Sequence, residues 1–270
     1  MARLCYNASG MTEAYDQFLA LVKARHTCRG FEKTPLPDGT IERILEAARW
    51  AMSGANSQPW EFVVVRNPAT IQTLYKTYQD EINDLNFWLE QRFPWDLRHP
   101  GFRLEGDLDA QYKTMNARVG WSEAPALIVV LGDGRRQLGS VSGASTPGRH
   151  QTHLTDGLSN ASMIIHLAAA SLGLASQWVS IHIQEPFKVV LDVPAVLTLH
   201  TIIPVGYPKQ PLSGSYRRKL HEFVHEDRYD RSKLMSNEDI VNFLYKLRAS
   251  TIRTYVRSRG DQKLPKQSGD

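Results

Sequence analysis

Residues 154–172 are the longest apolar-rich helical run in this 270-residue chain, and they set the first limit on what it folds into. Their spacing predicts an α-helix, with Gly173 in the position where helices end through a left-handed turn. Ser162, His166, Ser171 and Gly173 interrupt the apolar stretch 161–174, which is too short and too polar to span a bilayer. That leaves a helix of a soluble protein. Hydrophobic residues at 42% and charged residues at 22% agree with a soluble globular chain. Met1, Ala2, Arg3, Leu4 and Cys5 lack the apolar run of a signal peptide. Cys5 and Cys28 make no disulfide framework, so a reducing, cytoplasmic location is expected. The net charge of +4 does not call for nucleic acid, but it favours anionic partners such as phosphorylated cofactors.

Around that helix the pattern mixes periods. Residues 1–12 read as an irregular leader, and Tyr15, Phe18, Leu19 and Val22 then follow helical spacing into Arg25. Pro35, Pro37, Asp38 and Gly39 make a turn with Asp38 as a helix cap, and Ile41, Ile44, Leu45 and Ala48 continue at helical period. Residues 61–65 and 126–131 read as strands, with a helix from Pro68 between them that aligns Ile71, Leu74, Tyr75, Tyr78, Ile82 and Leu85. Residues 86–122 crowd aromatics among prolines and glycines, and 132–148 read as a surface loop. Strands follow at 174–183 and 199–205 around a short helix begun at Pro186, and an amphipathic helix from about Ser236 leads into a basic tail. The order is not a regular βαβ alternation, so the fold class is α+β.

Two short constellations carry chemistry. In Arg25-His26-Thr27-Cys28-Arg29-Gly30-Phe31, two guanidiniums and a hydroxyl make a candidate phosphate clamp; the plainer alternative is a solvated basic helix end. In Ser53-Gly54-Ala55-Asn56-Ser57-Gln58-Pro59-Trp60, small residues allow a flat ring to approach the backbone; the plainer alternative is a tight turn.

Taken in order, these motifs resemble the N-terminal half of the nitroreductase family, and the C-terminal half agrees. Residues 157–173 look like the family's central dimerisation helix. Ile203-Pro204-Val205-Gly206-Tyr207-Pro208 is similar to its last core strand, and Tyr216-Arg217-Arg218-Lys219-Leu220 to the basic segment after it. The resemblance covers about residues 13–230, with a lid at about 80–122, and leaves 231–270 as a C-terminal helix and basic tail. It implies a three-layer α-β-α fold, with a mixed, mostly antiparallel sheet wrapped by helices, in a domain-exchanged homodimer that binds FMN. By resemblance Arg25, Thr27 and Arg29, with His26 beside them, contact the FMN phosphate and ribityl chain, and Arg218 adds a second phosphate arginine. Ser53, Gly54, Ala55 and Asn56 reach the flavin from the other subunit. Trp178, Val179 and Ser180 face the ring, with Ser180 donating to flavin N5. NAD(P)H would reduce FMN and leave before a small planar aromatic or quinone acceptor binds, and no GxGxxG nicotinamide motif is present.

The lid departs from the related iodotyrosine deiodinases. Asp80 can stand for their glutamate, but Asp84 replaces a tyrosine and no lysine is clearly placed. Trp88, Phe93 and Trp95 either stack on an aromatic substrate or pack the lid. Reductive dehalogenation or desaturation on the same scaffold is the alternative chemistry. His221-Glu222-Phe223-Val224-His225 is a literal HExxH, which on a helix could bind zinc, as a remote hydrolase reading. No resident metal, nucleic acid or membrane partner is expected, and the basic tail reads as solvated or wrapped on a partner subunit.

Overall fold

The computed structural model describes residues 8–90, 92, 94, 97, 117–136, 149–212, 214 and 216–259. They form two compact units, one from residues up to 81 with 119–209, the other from 82–118 with residues beyond 209.

The first unit is built on a five-stranded sheet in the order β1-β2-β5-β3: β1 (Trp60–Val65), β2 (Ala126–Gly132), β3 (Ala175–Ser176), β4 (Val179–Ser180) and β5 (Thr198–Gly206), with β4 also paired to β5. Every strand pairing is antiparallel. All seven residues of β2 are buried, which is why its run reads as continuous apolar sequence and not as an alternation. Each fully buried Leu, Ile or Val there contributes about 1.5–3 kcal/mol of transfer free energy.

Residues 174–183 do not form the single strand that their pattern predicts. Ser176 pairs Val205 and Val179 pairs Ile202, but the ladder opens between them, opposite Pro204. Proline has no N–H to donate, so only Gln177 N to Pro204 O at 3.3 Å spans the gap. The break turns β4 into a separate short strand, and that turn matters for the site.

The helices are α1 (Ala8–Ala24), α2 (Thr40–Ala48), α3 (Pro68–Glu90), α4 (Arg149–Ser171), α5 (Glu185–Leu191) and, in the second unit, α6 (Asn237–Arg259). Helix α4 is the run at 154–172, and Gly173 does end it in a left-handed conformation at φ 73°. Leu158, Ala161, Ile165 and Ala169 of α4 pack with Ile41, Ile44 and Ala48 of α2 and with Ile128, Val130 and Ile203 of the sheet. Gly132 makes room for this contact, since a Cβ there would lie 2.6 Å from Leu158 Cδ1 and would push that side chain aside. No described helix is long and apolar enough to cross a membrane.

Three boundaries differ from the sequence pattern. Helix α1 begins at Ala8, inside the expected irregular leader, because Ala8, Met11, Glu13 and Ala14 all favour helix. Asp38 does not cap α2; Gly39 holds that position at φ 76° with no side-chain cap, after a turn closed by Thr40 N to Pro37 O at 3.2 Å. Helix α3 runs on to Glu90, through the start of the aromatic segment expected to be loop-rich.

Candidate functional site

Segment 25–31 leaves α1 and joins the sheet edge. Thr27 bridges Ser176 in parallel, and Cys28 N donates to Ser176 O at 3.0 Å. Phe31 bridges Pro208, Glu32 N donates to Tyr207 O at 2.9 Å, and Lys209 N donates to Gly30 O at 3.0 Å. Cys28 and Phe31 are buried in the core, while Arg25, His26, Thr27 and Arg29 remain half-buried. The segment is therefore not a solvated helix end. The Cys28 thiol donates to Gly30 O at 3.1 Å, and burial pushes it up to about 11. It stays protonated near neutral pH and offers no nucleophile.

Next to this segment lies a buried polar group that the sequence reading counts only as an interruption. His166 of α4 is 5% exposed, with Nδ1 2.7 Å from Ser176 Oγ. Burial pushes its imidazole down to about 4, and the Arg25 guanidinium adds to that, so His166 is neutral at physiological pH. The Trp178 ring stacks beside His166 at 6.1 Å between centroids and meets His200 edge-on at 5.2 Å. Burial also lowers His200, whose Nε2 is 3.4 Å from Ser159 Oγ. The signal that was available is the spacing of Ser162 and His166, which puts two polar side chains on one face of an otherwise apolar helix. Ser176 and His200 have no comparable mark in the sequence.

Along β4 the strand period separates the predicted ring-facing residues. Val179 is buried, whereas Trp178 and Ser180 are exposed on the opposite side. Thr201 Oγ1 donates to Val179 O at 2.9 Å, and Leu199 N donates to Gln184 Oε1 at 2.8 Å. Just past Ser180, the backbone amides of His182 and Ile183 both donate to Glu81 Oε1, the first at 2.6 Å. The sequence reading names Asp80, as the stand-in for a lid glutamate, and gives no role to Glu81. Asp80 is exposed and pairs with Lys76 one helical turn earlier.

The loop at 53–58 is a 3-10 turn over Gly54–Asn56. Ala55, Asn56 and Gln58 all take positive φ, at 53°, 51° and 46°, a conformation that costs a non-glycine residue about 1–2 kcal/mol. Side chains hold it there. Ser53 Oγ accepts from Gln58 N at 2.9 Å, and Asn160 Nδ2 of α4 donates to Met52 O at 3.1 Å. Gly157 of α4 lets the two approach, since a Cβ there would sit 3.3 Å from Ser53 Cβ. At the loop's base Asp133 N donates to Pro59 O at 2.8 Å, and the Arg135 guanidinium holds the Asp133 carboxyl down at about 2. Gly54, Ala55 and Asn56 stay exposed.

The remaining predicted residues fall elsewhere. Trp88 lies on α3, while Phe93 and Trp95 lie outside the described residues. Arg218 belongs to the second unit, where its Nη2 donates to Glu222 O at 2.7 Å and its guanidinium lies 5.3 Å over the Phe223 ring. The HExxH stretch is not helical. His221 and Glu222 occupy a 3-10 turn, and His225 Nδ1 accepts from Asp230 N at 3.1 Å while its ring stacks on Tyr229. The i,i+4 face that would present both histidines to one ion is therefore not formed, and no group of three metal ligands occurs among the described residues.

The first unit offers half-buried guanidiniums, a loop of small residues with exposed backbone, and buried polar atoms without a hydrogen-bond partner, among them His166 Nε2 and Gln177 Oε1. That set suits a phosphorylated ligand with a flat, heteroatom-rich ring.

Comparison with known proteins identifies the family and the fold. Iodotyrosine deiodinase 1 of Sus scrofa is 26% identical over 208 residues, 76% of this chain and 66% of that protein. The chain thus spans about two thirds of the length of the deiodinases it matches. The 5,6-dimethylbenzimidazole synthase of Rhodospirillum rubrum is 28% identical over 198 residues, 72% of this chain and 83% of that one. Among solved structures, iodotyrosine deiodinase bound to FMN and 3-iodo-L-tyrosine superposes with a TM-score of 0.55 at 22% identity, over 78% of this chain and 99% of that one. A nitroreductase family protein of Clostridium difficile 630 gives the same TM-score, 0.55, at 22% identity and the same coverage. These likenesses establish the three-layer, mainly antiparallel α+β fold. The nitroreductase family model matches residues 22–207, and the chain belongs to the nitroreductase family.

Proposed function

We propose that the chain is an FMN-dependent oxidoreductase that uses NAD(P)H to reduce a planar aromatic acceptor, a nitroaromatic or a quinone, in a homodimer with the flavin between subunits. The observation that carries this reading is the convergence at Ser176: its backbone holds segment 25–29, its hydroxyl meets His166, and the strand after it turns Trp178 and Ser180 outward together. Bound FMN supplies the two-electron chemistry that no protein side chain here provides.

The chain's own residues bind and orient. Arg25, Thr27 and Arg29 take the phosphate and ribityl chain, with His26 alongside. Neutral His166 keeps further positive charge out of the site, so phosphate recognition rests on the guanidiniums. Ser180 presents its hydroxyl to flavin N5, with Trp178 on the same exposed face and Val179 anchoring the strand from the buried one.

Ser53, Gly54, Ala55 and Asn56 serve the flavin of the second copy. Trp50 and Met52, 74% and 78% exposed, flank that loop, and Tyr15 and Phe18 of α1 are 60% and 55% exposed. Apolar side chains left open on the loop's flanks and on α1 support burial by a second copy.

Similarity over 208 residues to iodotyrosine deiodinase favours one alternative, reductive dehalogenation or desaturation on the same scaffold. An anaerobic absorbance titration separates the readings. Flavin bands that bleach with NADPH or NADH and return with a nitroaromatic support the reductase. Flavin that neither nicotinamide reduces favours the alternative, and protein that cannot be reconstituted with FMN overturns both.

A further inference from the structure

Helix α3 passes the end of β4 with two adjacent carboxylates that do different things. Asp80 points to solvent and pairs with Lys76. Glu81, turned by roughly 100° on the helix, places one oxygen against two successive backbone N–H groups, those of His182 and Ile183. Its second oxygen, Oε2, is buried and has no hydrogen-bond partner.

The two amides need an acceptor. His182 and Ile183 follow a strand of only two residues, and their own side chains are exposed, so neither sheet nor core fixes this stretch. Without Glu81, β4 would be held by its two-residue ladder to β5 and the Thr201 hydroxyl on Val179 O, and from the far side of the turn by Gln184 on Leu199 N. Between these anchors Ile181, His182 and Ile183 follow directly on Ser180, the last paired residue of the strand. A charged acceptor shared by two adjacent amides is a strong restraint for so short a segment, since hydrogen bonds to an ionised group contribute about 1.5–3 kcal/mol.

We propose that Glu81 is a positioning residue: by holding the His182 and Ile183 amides it fixes the strand end from which Ser180 meets the bound flavin. This rests on the reading of Ser180 as the flavin N5 donor. Glu81 touches neither cofactor nor substrate; it acts through the backbone. The geometry also explains why the helix carries two acids in a row there, one for the solvent face and one for the strand.

Amide hydrogen exchange in the FMN-free protein tests the anchor without any activity. Glu81→Ala should speed exchange at His182 and Ile183 by about tenfold or more while exchange across β2 stays unchanged. Glu81→Gln, which keeps one carbonyl oxygen, should restore most of the protection. Unchanged exchange in Glu81→Ala overturns the anchor.

The link to Ser180 is then read from the midpoint potential of the reconstituted flavin. Ser180→Ala should shift it, Glu81→Ala should shift it in the same sense, and the double variant should go no further than Ser180→Ala alone. Additive shifts, or a shift in Ser180→Ala with none in Glu81→Ala, overturn the positioning role and leave the Ser180 reading standing. No shift in Ser180→Ala overturns both. Should Glu81→Ala fail to fold, Glu81→Asp, shorter by one methylene, replaces it with the same expectations.

Discussion

Segments 25–31 and 53–58 carry the two motifs of the candidate site, and they are held in opposite ways. The first is fixed through its backbone: Thr27 and Cys28 bond to Ser176, and Gly30, Phe31 and Glu32 bond across to residues 207–209. That backbone pairing fixes where its half-buried polar side chains leave the sheet edge. The second is fixed by side chains, Ser53 on Gln58 N and Asn160 on Met52 O, while three of its residues sit in left-handed backbone. In the first case sheet register sets the geometry and in the second strain is stored locally. Substitutions should therefore separate binding from folding in the clamp and mix the two in the loop.

The largest expected effect is on binding alone. Arg25→Ala should weaken FMN affinity by roughly ten- to a hundredfold, the span of about 1.5–3 kcal/mol for a charge-assisted bond, with little change in Tm of the FMN-free protein. Fluorescence titration of FMN against a thermal melt checks both halves. A fall in Tm with unchanged affinity would mean that the clamp's side chains are structural after all.

A second, smaller effect sharpens the contrast through pH. His166 titrates at about 4 in the folded protein, below its ordinary 6.5, because burial and Arg25 disfavour its charged form. The unfolded chain therefore takes up this proton first as pH falls. The stability tied to neutral His166 is complete above about 6.5 and is lost as pH falls through about 4, with about 2 kcal/mol gone at pH 5. Urea unfolding at pH 7 and pH 5 should show this loss in the parent and not in His166→Gln. Parallel losses in the two proteins would place the proton elsewhere.

How much of this was legible in the sequence follows the same division. The strands at β1, β2 and β5 and helices α2, α3 and α4 could be read directly, because local period and burial agree along them. What was missed depends on contacts distant in sequence. The break between β3 and β4 comes from Pro204, which stands on a different strand. Asp38 reads as a cap because of its type, but a turn through Gly39 decides the helix start. Asp80 and Glu81 are alike in sequence, and only the packing of α3 beside residues 182 and 183 separates their roles. His221 and His225 have metal-site spacing, but spacing means something only on a helix, and the chain there makes a 3-10 turn.

The smallest effect probes the loop. Ala55 sits at φ 53°, where a Cβ is unfavourable by about 1–2 kcal/mol and glycine is at ease. Glycine also gives the unfolded chain more freedom, which offsets about 0.5–1 kcal/mol of that gain. Ala55→Gly should therefore stabilise the fold by under about 1 kcal/mol, read as a small rise in the urea midpoint at unchanged m-value. Flavin affinity should move the other way. A left-handed alanine is confined by its neighbours, Ser53 Oγ on Gln58 N and Gly157 against Ser53 Cβ. Glycine relaxes that confinement, so the loop would have to be ordered again when the flavin binds. Lower affinity with higher stability would show that the strain at 55–58 preorganises the loop for its ligand. Stability and affinity rising together would show that the strain is merely tolerated, and would remove the distinction between this loop and the sheet-bound clamp.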